Sequence, residues 1–185
     1  EYLAAITSYD KALDIWPASP TALYNRSLLQ GKLGRKPEAL EGWQEYLSYY
    51  PSGGMARKAV NHLNLLGDYS FRNYTLGART VTVEKIYFEP FTADLTRGAE
   101  KSLEFVGTIA SKMKKGRLQV LVYQLKNKKL AQKKAINIKK YLLNSNPSLK
   151  KQDIGISWFD TPEKIKIGKS TRNINDSVSF FISGR

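Results

Sequence analysis

The spacing of apolar residues changes period twice along this chain. In residues 1–17, Ala5, Tyr9, Ala12 and Leu13 recur at helical intervals and Pro17 closes the run. The stretch ALYNRSLLQGKLGRKPEAL (22–40) continues the helical pattern with Gly34 at a turn. Ala39, Trp43, Tyr46 and Leu47 then repeat it before Pro51. MARKAVNHLNLLG (55–67) supplies one more helix, with Ala59, Leu63 and Leu66 on one face. Past Gly67 the period is lost, and residues 68–79 read as a linker.

From residue 80 the pattern alternates between strand and helix. TVTVEKIYF (80–88) is rich in β-branched and aromatic residues and predicts a strand, with a bulge near Glu84 where the alternation slips. LTRGAEKSLEFVGTIASKMKKG (95–116) places Leu103, Val106, Ala110 and Met113 at helical spacing, with Thr96 as N-cap and Gly116 as stop. LQVLVY (118–123) is apolar on both parities, as expected of a strand covered on both faces. A helix over 127–144 aligns Ala131, Ala135, Ile138 and Leu142 in one stripe with lysines around the rest. DIGISWF (153–159) and SVSFFI (177–182) predict two more strands, joined by a basic loop over 161–176. The order β-α-β-α-β-β implies a mixed sheet carrying two helices.

The first part resembles a tetratricopeptide repeat. Adding that family's period of about 34 residues to Ala5, Tyr9, Ala12, Leu13 and Pro17 lands on Ala39, Trp43, Tyr46, Leu47 and Pro51. Small residues in such a pattern let paired helices approach, aromatics fill the groove, and proline ends each second helix. Arg26 and Gln30 depart from the family, which usually has apolar residues there. The 55–67 helix reads as a cap over the last repeat, and further repeats are expected before Glu1. The resemblance implies a groove that binds a protein partner.

Charge divides the chain in the same place. Residues 1–77 hold 8 Lys and Arg against 7 Asp and Glu, whereas residues 78–185 hold 22 against 9. No acid occurs between Glu104 and Asp153. A field of that sign draws anionic partners. With zero cysteines, disulfides, thiolate metal sites and cysteine nucleophiles are excluded. Runs of about 18 apolar residues, needed to span a bilayer, are absent from the sequence. His62, the single histidine, stands on the capping helix and is given no catalytic role. No serine–histidine–acid set, metal-spaced cluster or phosphate loop is evident, so neither an enzyme nor a bound cofactor or metal is expected.

Residues 80–184 resemble an OmpA-like domain, the envelope module that binds peptidoglycan. The likeness rests on FEPFTADLT (88–96), on NKKLAQKKAINIKKYL (127–142) and on NDSVSFFI (175–182). Asn127, Leu130, Ala135, Ile138 and Leu142 agree with the family's helix pattern. Ala131 replaces its serine, and Lys134 replaces the arginine that grips a wall-peptide carboxylate. The loop YQLKN (123–127) is shorter than the family's and lacks its acid, and Asp176 and Ser177 stand where paired arginines are usual. The binding motif is therefore degenerate.

These observations define the expectation for the whole chain: helical repeats over 1–67, a linker over 68–79 and an OmpA-like α/β domain over 80–185. The implied role is a non-catalytic cell-envelope scaffold of the periplasm or outer membrane. Its repeats would bind a protein, and its second part would face the peptidoglycan wall. Asn127, Lys128, Lys133 and Lys134 are the candidate contacts to a wall ligand or other polyanion, within a helix that also carries Lys129, Lys139 and Lys140. The alternative reading is a nucleic-acid-binding module using the same lysine-rich helix 127–144. It is weaker, since no base-reading motif accompanies the charge.

Overall fold

A computed structural model describes residues 1–184. The described chain is mixed α/β, with six α-helices and seven strands. It divides into two compact units, Glu1–Asn73 and Tyr74–Arg185.

The first unit is helical: α1 (Tyr2–Ile15), α2 (Pro20–Lys32), α3 (Lys36–Tyr49) and α4 (Gly53–Leu65). Local chemistry sets the ends. Ser19 caps α2, its side chain accepting from the Ala22 N–H, and Pro20 sits where a missing donor costs nothing. Gly34 takes φ 73° in the turn before α3, a conformation that burdens any residue with a Cβ. The core joins Leu13 of α1, Leu23 and Tyr24 of α2, Trp43 and Leu47 of α3, and Val60 and Leu63 of α4. Tyr24 meets Trp43 and Tyr46 edge-on, with ring centroids 5.0 and 5.5 Å apart. Helices α2 and α3 approach closely because residue 42 is glycine. A Cβ there would lie 2.2 Å from the Ser27 hydroxyl oxygen. Arg26, apolar in the resembling family, bridges Asp10 of α1 at 3.3 Å and Glu45 of α3 at 2.8 Å.

The second unit is built on a three-stranded mixed sheet ordered β4-β3-β7. Its strands are β3 (Arg117–Gln124), β4 (Ile154–Phe159) and β7 (Asp176–Ser183). β3 runs parallel to β4, Leu118 opposite Ile154, and antiparallel to β7, Leu118 opposite Ile182. The helices are α5 (Arg97–Ser111) and α6 (Lys128–Ser145). The even-numbered residues of β3 (Leu118, Val120, Val122) and of β7 (Val178, Phe180) join the core with Leu103 and Val106 of α5 and Ala135, Ile138 and Leu142 of α6. Thr96 caps α5 as expected, accepting from the Ala99 N–H.

Several expectations are corrected. The strand predicted over 80–88 is β2 (Arg79–Glu84) and ends at Glu84. It pairs with β1 (Phe71–Leu76), a strand inside the stretch read as a linker, and lies outside the mixed sheet. The partner strand was hidden because FRNYTL mixes polar and apolar residues, and its anchorage is long-range. Tyr74 donates from its hydroxyl to the Val178 carbonyl at 3.0 Å and packs edge-on to Phe180. The basic loop over 161–176 is a hairpin, β5 (Glu163–Ile167) and β6 (Ser170–Ile174), turning at Gly168 and Lys169. Its Lys-Ile alternation is a strand signal masked by charge. Finally, α5 stops at Ser111, and Gly116, at φ 96°, lies in the turn that leads into β3.

Candidate functional site

The turn between β3 and α6 is tied down by backbone groups before any side chain acts. Leu125 N–H donates to the Asn175 carbonyl and Lys126 N–H to the Asp160 carbonyl, each at 2.8 Å. Lys126 takes φ 59°, a left-handed conformation that a lysine adopts only when its surroundings enforce it. Asn127 then caps α6, its side-chain oxygen accepting from the Leu130 N–H at 3.0 Å. Its side chain is thus occupied as a structural cap.

The four candidate contact residues separate. Lys128 and Lys133 are exposed, as are Lys129 and Lys140. Lys134 is 3% exposed, in the same buried stripe as Ala131, Ile138 and Leu142. The spacing shows why: residue 134 lies three after 131 and four before 138, on the inward face of a 3.6-residue helix. Its ammonium donates to Gln124 Oε1 at 2.7 Å and Asp176 Oδ1 at 3.1 Å, and stands 4.4 Å from the Phe88 ring centroid. Gln124 and Asp176 are direct cross-strand partners in the β3–β7 register. The last rung of the core-facing side of the sheet is therefore polar, and Lys134 completes it. A buried ammonium held by an amide, a carboxylate and an aromatic face is compensated from three sides.

Lys139 also turns inward, donating to the Ile154 carbonyl at 2.7 Å. Burial, reinforced by the nearby charges of Arg117 and Lys151, pushes its ammonium below the usual lysine range. Beside the sheet, the buried Glu163 accepts from the hydroxyls of Ser177 and Ser179. Gln124, Phe88 and Glu163 escaped the sequence reading, because partners this distant along the chain carry no local signal.

The helical unit holds an open cleft of about 360 Å³ lined by Leu28 and Lys32 of α2, Trp43 of α3, and His62, Leu65 and Leu66 around α4. His62 lies flat on Trp43, with centroids 4.8 Å apart and planes 6° from parallel. Burial lowers the histidine's pKa from its ordinary value, so the stack is neutral at pH 7. The cleft is apolar with one cationic rim residue, Lys32. Such a surface suits an apolar side chain of a peptide or protein.

Among the described residues, no group of three or more His, Cys, Asp or Glu side chains is placed to hold a metal ion. Among those residues, no helix is long and apolar enough to cross a membrane. No family model matches the chain, and no curated protein or solved structure matches it either.

Proposed function

We propose that this chain is a non-catalytic cell-envelope interaction protein. Its tetratricopeptide-like helices engage a protein partner through the Trp43–His62 cleft, and its OmpA-like unit faces the wall of the periplasm. The observation that carries the reading is the internal use of Lys134. The side chain at the family's ligand-gripping position is turned onto Gln124 and Asp176. The outward lysines, Lys128, Lys129, Lys133 and Lys140, have no carboxylate partner among the described residues. Attraction to an anionic wall polymer then works through diffuse charge rather than a fixed grip.

Co-sedimentation with diaminopimelate-type sacculi tests this. Pelleting is expected at low salt, is lost at high salt, is weakened by Lys128→Gln with Lys133→Gln, and is unchanged by Lys134→Met. Absence of pelleting at low salt, or salt-resistant pelleting that needs Lys134, sinks the reading.

The same unpaired lysines favour a second reading, binding of nucleic acid or another polyanion. Competition decides between them: duplex DNA displacing the chain from sacculi better than wall fragments of matched charge would favour nucleic acid.

A further inference from the structure

A second cleft, polar and about 380 Å³, opens at the end of the mixed sheet away from the Lys134 cluster, lined by Arg117, Gln119, Gln152, Ser183 and Gly184. Arg117 and Gln119 are odd-numbered residues of β3 and so lie on the sheet face opposite α6. No carboxylate is among the lining residues. The nearest acid along the chain, Asp153, accepts the Lys150 backbone N–H.

Among the described residues, Arg117, Lys139 and Lys151 form no ion pair, and two of them meet at one carbonyl oxygen. Arg117 donates from Nη2 to the Ile154 carbonyl at 3.2 Å, the same oxygen that accepts from Lys139 at 2.7 Å. The Arg117 Nε–H is buried and has no acceptor. An orphaned buried donor on a guanidinium is costly and uncommon, and its usual complement is an oxyanion. Burial first, then the charges of Arg117 and Lys151, depresses the Lys139 pKa, so both cations act on that ammonium. The neutral lining supplies further donors. Gln119 is held in place, donating from Nε2 to Ser183 Oγ at 2.8 Å, while Gln152 is exposed at the rim.

The geometry points to an oxyanion-binding site in this cleft, with Arg117 as its principal ligand, Gln152 and Gln119 as amide donors, and Lys139 and Lys151 supplying the field. The ligand class is a phosphate ester or a carboxylate, since both present paired oxygens to a guanidinium edge. This inference does not depend on the wall-binding reading, whose lysines lie elsewhere on α6.

The test is an NMR titration of the whole chain at constant ionic strength, with inorganic phosphate in one arm and acetate in the other. The Arg117 Nε–H and Gln119 side-chain amide signals are followed. Saturable shifts of both are expected, with the Lys139 ammonium titrating at higher pH once the site is filled. Tighter saturation by phosphate assigns a phosphate ester, and tighter saturation by acetate assigns a carboxylate. Followed on the Gln119 amide, Arg117→Gln weakens binding ~10-fold or more. Gln152→Ala weakens it less, at an exposed position that leaves the fold untouched. Signals that drift without saturating in both arms overturn the proposal. So does a titration that Arg117→Gln and Gln152→Ala both leave unchanged in a spectrum that is otherwise folded.

Discussion

Lys134 of α6 and Asp176 of β7 form an ion pair 3.1 Å long whose two ends differ in exposure, the lysine side chain 4% exposed and the aspartate 45%. The asymmetry makes the two partners unequal to mutation. Asp176→Asn keeps an amide oxygen but removes the countercharge of a buried ammonium, and is expected to cost about 1–2 kcal/mol, discounted from the fully buried case because the carboxylate is half in water. Lys134→Met keeps the stem and removes the buried charge, so it costs less. Urea unfolding of both variants checks the order. A larger loss for Lys134→Met would mean that the ammonium is a net stabiliser.

The Trp43–His62 stack confers a pH dependence on stability. The folded state holds the His62 pKa below its ordinary 6.5, because burial disfavours the cation. Well above pH 6.5 both states are neutral and no difference arises. As pH falls below 6.5, the unfolded chain binds a proton that the folded chain resists, so stability is lost until the folded pKa is passed. Thermal melts at pH 7.5 and 5.5 are expected to show a larger drop for the natural chain than for His62→Phe, which keeps the stack without the titration. Equal drops would show that the histidine is not buried in solution.

Gly42→Ala tests the close approach of α2 and α3. The new methyl would collide with Ser27, whose hydroxyl oxygen and Cβ lie 2.2 and 3.1 Å from its position. Ser27 is fully buried and its hydroxyl is bonded to the Leu23 carbonyl, so it cannot move aside freely. A destabilisation of about 1–3 kcal/mol is expected, partly relieved by Ser27→Gly in the same chain. Chemical denaturation of the single and double variants measures both.

Arg26→Leu restores the apolar residue usual in the resembling repeats. Arg26 bridges Asp10 and Glu45, but those carboxylates are 52% and 43% exposed, and its own Nε is buried without an acceptor. Exposed pairs of this kind contribute little, so the change is expected to fall within about 1 kcal/mol of neutral. A loss well beyond that in urea unfolding would mark the bridge as a real clamp between α1 and α3.

Much of the architecture was legible from local pattern. The six helices coincide with stretches of 3.6-residue periodicity, and the cap Thr96 stands where an oxygen-bearing side chain precedes the apolar stripe, whereas Asn127, read as a ligand contact, is a cap as well. β3, β4 and β7 were visible as apolar runs. β1 was not, because its hold comes from Tyr74 reaching Val178 and Phe180 more than a hundred residues on. Nor was the β5–β6 hairpin, whose alternation of isoleucine and lysine was read as charge rather than as two faces of a ribbon.

The lysines of α6 show where local reading ends. By itself the sequence determined that 127–144 would be a basic amphipathic helix following a buried strand, because both properties depend only on the order of neighbours. Which lysines remain free to meet a ligand was decided by tertiary structure. Lys133 and Lys134 are adjacent and chemically identical, but a turn of about 100° separates them on the helix. One points to water, and the other meets Gln124, Asp176 and Phe88, brought from three distant segments. The same holds for Arg117, whose unmet Nε–H is buried beside Gln152 and Ser183, residues from segments far along the chain.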